Sequence, residues 1–133
     1  MQNLIPRKEE EQRLKALAEY RILGTKPESC YDDITKIAAS TCDVPISLMT
    51  LVDRDRQWFK SKVGLEINET KRDWSFCTHA IQENSPLIIH DAFQDERFIN
   101  NPLVTGDPKI RFYAGFPLKN TDGNKLGTLC VID

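Results

Sequence analysis

A cysteine and a histidine two positions apart, Cys77 and His79, form the most chemically suggestive pair in the chain. The segment from Ser75 to Glu83 is predicted to be a short helix. With Ser75 as its cap, Cys77 lies in the first turn, where free amides and the helix dipole favour a thiolate. That placement suits a reactive thiol, as a redox sensor or a cofactor attachment point. His79 does not share a helix face with Cys77. The plainer reading is a small buried hydrophobe beside a hydrogen-bonded core histidine, and it carries more weight. A metal site would need Cys77, His79 and His90 to converge with a fourth ligand. No pair has a recognised zinc spacing, so no metal ligand is assigned.

A second set of residues suits a small-molecule pocket. Trp58, Phe76, Phe98, Phe112 and Tyr113 could wall it, and Arg72, Asp73, Asp91, Asn101 and Arg111 could supply polar contacts. Taken singly, each aromatic is better read as core, and each Asp or Asn as a cap or turn residue. Strand alternation puts Tyr113 on the opposite face from Phe112 and Phe116, so Tyr113 and Phe112 are not equal candidates. Catalytic patterns are lacking: there is no Ser-His-Asp order, no Gly-rich phosphate loop and no HxE motif with paired cysteines.

Composition narrows the classes. The chain has 133 residues, enough for one domain with its own core, and a net charge of −2 with both signs interspersed. No basic block exists to track phosphates, which disfavours nucleic acid as a partner. No apolar run approaches a membrane span. Leu4-Ile5 is followed at once by Arg7-Lys8-Glu9-Glu10-Glu11, which is no signal peptide. Cys30, Cys42, Cys77 and Cys130 are widely spaced without a CxxC pair, as expected of reduced thiols in the cytoplasm. An exported, disulfide-bonded protein would need an export signal as well.

The elements that must position these residues follow from periodicity. A helix is predicted from Arg7 to Leu23, with Pro6 at its start, Leu14, Leu17, Ala18 and Ile22 as its apolar stripe, and Gly24 as its stop. A second runs from Cys30 to Cys42, with a capping box over Ser29–Asp32 and a buried face of Ile34, Ile37, Ala38 and Thr41. Ile46–Asp53 then alternates with period two: Ile46, Leu48, Thr50 and Val52 face one way, Met49 and Leu51 the other. Both faces are largely apolar, so this is a central strand. Gln57–Val63 returns as its hairpin partner. Leu65–Trp74 reads as loop, Leu87–His90 as a brief strand, and Phe93–Pro108 as irregular with one short helix near Glu96–Ile99. Ile110–Lys119 and Lys125–Asp133 form a hairpin around Asp122-Gly123. Two hairpins flanking an insertion make an antiparallel sheet with helices packed on it. The chain reads as a single domain, 1–133. Because it stops on a hydrophobic strand, a covering C-terminal helix and an output domain are expected to follow it in a longer signalling protein.

In order and spacing the chain resembles the GAF domains of bacterial sensor proteins. The likeness runs through Arg13-Leu14, Tyr20, Pro27-Glu28 and Tyr31-Asp32-Asp33-Ile34. It continues in Val44-Pro45-Ile46, Leu51-Val52-Asp53 and Arg56-Gln57-Trp58-Phe59-Lys60-Ser61. Ser75-Phe76-Cys77, His79-Ala80-Ile81 and Asp91-Ala92 follow. Asp95, Arg97-Phe98, Asn101-Pro102-Leu103-Val104, Phe112-Tyr113-Ala114-Gly115 and Gly127-Thr128-Leu129-Cys130-Val131-Ile132-Asp133 complete it. The resemblance implies an α/β (α+β) fold: a GAF/PAS-like central antiparallel sheet of five to six strands, with helices on one face and loops over a pocket on the other. It implies a regulatory input domain, not an enzyme. Such a domain binds a small molecule or pairs as a homodimer to control an attached output domain of histidine kinase or cyclic-dinucleotide enzyme type. The ligand stays unknown, because the family's special sites are imperfect here. The bilin-binding branch follows its Cys directly with His, and here Thr78 follows Cys77. The Asn-Lys, Phe, Asp-Glu motif of cyclic-nucleotide binders is absent, since Asn124-Lys125 falls in a hairpin and Phe93 crowds Asp95-Glu96. The closely grouped cysteines of the methionine sulfoxide reductase branch are absent too. The pocket candidates are therefore Trp58, Phe76, Cys77, His79, Asp91, Phe98, Asn101, Phe112 and Tyr113, under a cover running from Trp74 to Val104. A purely structural dimer without ligand, and a thiol-based sensor or enzyme at Cys77, remain as alternatives.

Overall fold

β1 (Ile46–Val52) is buried along its whole length, as its two apolar faces require. The computed structural model describes residues 5–133. In it, β1 pairs antiparallel with β2 (Arg56–Val63) on one side and with β6 (Lys125–Ile132) on the other. β3 (Glu69–Lys71) extends the sheet beyond β2. β5 (Tyr113–Lys119) and β4 (Leu87–Ile89) extend it beyond β6. The sheet has six strands in the order β3-β2-β1-β6-β5-β4, each antiparallel to its neighbours. The Asp122-Gly123 turn closes the β5–β6 hairpin, with Gly123 at a φ of +84° that a side chain would disfavour.

Two helices cover one face. α1 (Arg7–Glu19) sets Ala16 and Leu17 against Leu51, Trp58 and Leu126. The predicted stripe is only partly used: Leu17 is buried, Leu14 and Ile22 are half-buried, and Ala18 is exposed. The helix also ends at Glu19 and not at Leu23, because Arg21 takes a left-handed φ of 50°. Ile22 and Leu23 then fold back onto the Leu17 cluster. α2 (Ser29–Cys42) corrects the sequence reading more sharply. Ile34 and Ile37 are 42% and 65% exposed, and Thr41 is exposed as well. Thr35 and Ala39 face the sheet instead. The cause is polar. Thr35 Oγ1 lies 2.8 Å from Ser61 Oγ, and Ser61 donates to Asp32 Oδ1 at 2.6 Å. This network fixes the helix's rotation and takes Asp32 out of the predicted capping box. Glu28 is the N-cap, without a side-chain cap bond, and its carboxylate pairs with Lys60 at 2.6 Å.

The opposite face carries the larger core. Ile46, Leu48 and Val52 of β1 meet Phe59, Tyr113, Cys130 and Ile132 there, beneath a cover of short elements. The cover holds α3 (Cys77–Ala80), a single 3-10 turn at Arg72–Trp74, another at Ala92–Gln94, and α4 (Pro102–Thr105). β3 and the turn after it lie inside the stretch read as loop; three residues are too few to show a period. The helix expected near Glu96–Ile99 is a series of turns, and the helix of that region is α4. Asn101-Pro102 announces it, with Asn101 as cap and Pro102 in the first turn. No helix among the described residues is long and apolar enough to cross a membrane.

Candidate functional site

Between the sheet and its cover lies a cavity of about 30 Å³, room for a molecule on the scale of one water. Leu48 and Ile132 of the sheet form its floor, Phe76 and Cys77 part of its roof, and Leu65, Ile67, Leu103 and Pro108 its outer wall. Exposed Ile67 and the half-buried Leu65, Leu103 and Pro108 bring that wall to the surface.

The polar groups of this apolar site are concentrated at Cys77. Its Sγ lies 3.0 Å from Thr128 Oγ1 and 3.2 Å from Tyr113 OH. Thr128 Oγ1 is in turn 3.0 Å from Thr50 Oγ1 on the next strand. Cys77, Tyr113, Thr50, Thr128 and Cys130 are all buried to 2% exposure or less. β-sheet alternation assembles the group: Thr128 and Cys130 are i and i+2 on β6, opposite Thr50 and Leu48 of β1. Burial alone would push the Cys77 thiol up. The surrounding groups of Cys130, Thr128, Thr50 and Tyr113 outweigh it and draw the thiol below its ordinary value. Cys130 moves the other way, raised by the neighbouring Cys77 and by burial. Burial and the neighbouring Cys77 likewise raise the Tyr113 phenol, so it stays a hydroxyl donor. The helix dipole is not the cause: α3 has four residues, Phe76 and not Ser75 is its N-cap, and no side chain caps it. Ser75 instead donates to Gln57 Oε1 at 2.6 Å, and Gln57 Nε2 donates to Thr70 Oγ1 at 3.0 Å, fastening the cover to β2 and β3.

The other predicted residues divide into three places. Phe98 stacks on Phe76 with ring centroids 4.0 Å apart, and His79 meets Phe98 edge-on at 4.9 Å. These form a layer behind the cavity wall. Burial, with Arg97 adding to it, lowers the His79 imidazole below its ordinary value, so it favours the neutral form. Asn101 caps α4 by accepting from the Leu103 amide at 2.8 Å, and its Nδ2 donates to Trp74 O at 3.0 Å. Asp91 is an exposed cap of the Ala92–Gln94 turn. Trp58 lies on the opposite face, under α1, and Phe112 lies outside beside His90. Of the nine candidates, Phe76, Cys77 and Tyr113 line the cavity. Sequence reasoning missed Cys130, Thr128 and Thr50. Their signal was the period-two pattern of β1 and β6, which needs the strand pairing before it says who meets whom.

One further contact joins this cover to the rest of the domain. Arg72, in the 3-10 turn before Phe76, reaches the carboxylate of Glu10 on α1. Arg13 closes on the same carboxylate at 2.8 and 3.1 Å and donates to Val52 O at 2.7 Å. All three side chains are buried.

The family model of the GAF domain matches residues 26–133, which hold the whole of this six-stranded sheet and the cover over its cavity. The chain belongs to the GAF domain family. A cyclic di-GMP phosphodiesterase of Pseudomonas aeruginosa is 43% identical to this GAF domain over 112 residues, 84% of the chain. The chain spans only 19% of that relative's length. Among solved structures, a type II free methionine-R-sulfoxide reductase from Thermoplasma acidophilum superposes with a TM-score of 0.63 at 12% identity, over 88% of this chain and 77% of its own. The GAF domain of an Acinetobacter phosphoenolpyruvate-protein phosphotransferase gives 0.60 at 16% identity, over 97% and 78%. At these identities the likeness is one of fold. The family itself is a sensory and regulatory one, consistent with a signalling role.

Proposed function

We propose that this GAF domain is the input module of a larger signalling protein, in which a small molecule acting at the cavity beside Cys77 and Tyr113 controls an attached output domain. The observation that carries the reading is the Arg72–Glu10 pair. It joins the cover of the cavity directly to α1, which gives a change in the cover a direct route to that helix. A ligand shifts such a domain only by binding one cover arrangement better than another. The 43%-identical phosphodiesterase supports an output domain of the cyclic-dinucleotide enzyme type. In that role the domain binds and does not catalyse. Phe76, Cys77 and Tyr113 are its contact residues, with Phe98 and His79 supporting them from behind.

The size of the cavity favours a second reading. At about 30 Å³ it is nearly filled by the protein's own side chains, as in a domain that serves mainly to pair with a copy of itself. Native mass spectrometry with an absorption spectrum of the same sample separates the two. Extra mass released on denaturation supports the sensor. A clean mass, no colour and a dimer that persists on dilution support the pairing module and count against the sensor.

A further inference from the structure

Cys77 is set apart from an ordinary core cysteine by its neighbours. A structural buried thiol sits among hydrocarbon and is inert. This one is held between two hydroxyls at 3.0 and 3.2 Å, on the wall of a cavity that reaches the surface. The arrangement is built for it. A Cβ on Gly115 would stand 2.2 Å from Tyr113 OH, so the phenol reaches Cys77 only because residue 115 is glycine. A second thiol completes the group: Cys130 lines the same cavity, two residues along the same face of β6 from Thr128, whose hydroxyl touches Cys77.

We propose that Cys77 and Cys130 are a dithiol switch, in which Cys77 reacts with a small hydroperoxide entering the cavity and Cys130 resolves the product to an intramolecular disulfide. The Cys77 sulfur attacks the distal peroxide oxygen, forming an S–O bond as the O–O bond breaks. The sulfur loses two electrons, and the departing alkoxide takes the proton released by the Cys77 thiol and leaves as the alcohol. The Cys130 sulfur then attacks the sulfenic acid on Cys77. An S–S bond forms, the S–OH bond breaks, and hydroxide leaves with the Cys130 proton as water. Thr128 and Tyr113 support the first step by donating to the charge on sulfur. The bond would tie α3, in the cover, to β6 in the middle of the sheet. A cavity with room for about one water suits a peroxide better than a metabolite.

The inference deepens the sensor reading and rests on the cavity being the sensing site. The test is to treat the reduced protein, with exposed Cys30 and Cys42 replaced by serine, with hydrogen peroxide and map it by mass spectrometry without reduction. The expected result is the loss of two hydrogen masses and a peptide linking Cys77 to Cys130. Cys130→Ser should instead trap a dimedone adduct on Cys77, and Tyr113→Phe should slow the reaction by at least about tenfold, the loss of one hydrogen bond to a charged sulfur. Cys77 and Cys130 left reduced after a time in which free cysteine is fully oxidised would overturn the proposal. A reversible ligand found by native mass spectrometry in that same sample would leave the sensor reading standing.

Discussion

The Tyr113 hydroxyl occupies the space into which a side chain on Gly115 would project, a Cβ there falling 2.2 Å from the phenol oxygen. The two residues are i and i+2 on one face of β5, and the ring lies back along its own strand. Gly115→Ala must therefore expel the phenol from its place beside Cys77. Overpacking of this kind costs about 1–3 kcal/mol. A urea titration should show that loss, and Gly115→Ala combined with Tyr113→Phe should lose less than the sum of the single changes, because both act on the same hydroxyl. Strict additivity would mean that the phenol is not held by the glycine.

The Cys77 thiol predicts a pH dependence of stability with a definite sign. In the fold it is drawn down to about 6, against an unfolded value of roughly 8.5. Between these limits the unfolded chain binds more protons. Stability from Cys77 should thus be fully present above the unfolded value and be lost as the pH falls through the folded one. Cys130 is raised and opposes this only at higher pH. Under reducing conditions the urea midpoint of the wild type, relative to Cys77→Ser, should rise from pH 6 to pH 8. A flat difference would show that the hydroxyls do not stabilise the charged form.

α2 makes a prediction against its own sequence. Ile34 and Ile37 read as its buried face by period, yet they are exposed, while Thr35 sits against Ser61. Ile37→Ser should change stability of the monomer by no more than about 0.5 kcal/mol. Thr35→Val should cost about 0.5–1.5 kcal/mol, since it removes one hydroxyl from the buried network while Ser61 keeps its bond to Asp32. The reverse ranking in thermal or chemical unfolding would restore the apolar face as the packed one.

That contrast also marks where the sequence was legible. β1 announced its central place because two apolar faces leave a strand nowhere else to go. The Asp122-Gly123 hairpin was plain because its turn needs a positive φ. Tyr113 and Phe112 were separable by alternation. What stayed hidden were contacts between distant segments: Ser61 turning α2, and Thr50, Thr128 and Cys130 gathering around Cys77. Each of these residues is unremarkable alone. Trp58 was misleading for a related reason, since an aromatic on a hairpin strand serves either face equally well until the helices are placed.

The buried carboxylate of Glu10 looked, in the sequence, like one of three acids at a helix start. In the fold it turns inward to hold Arg13 and Arg72, and Arg72 Nη2 already lacks a partner among the described residues. Removing one member of a buried charge cluster leaves the others uncompensated, at a cost of about 3–5 kcal/mol. Glu10→Gln should lose that much in urea unfolding, whereas Glu9→Gln on the exposed side should lose almost nothing. Burial pushes the Glu10 carboxyl up, but Arg13 and Arg72 outweigh it and hold it below its ordinary value of 4.5. Its contribution is therefore complete above that value and falls away as the pH drops through the folded one. Glu10→Gln should flatten this acid limb. Should the mutant instead unfold with wild-type stability and the same acid limb, α1 is not fastened to the cover through this pair, and the route from cavity to helix must run elsewhere.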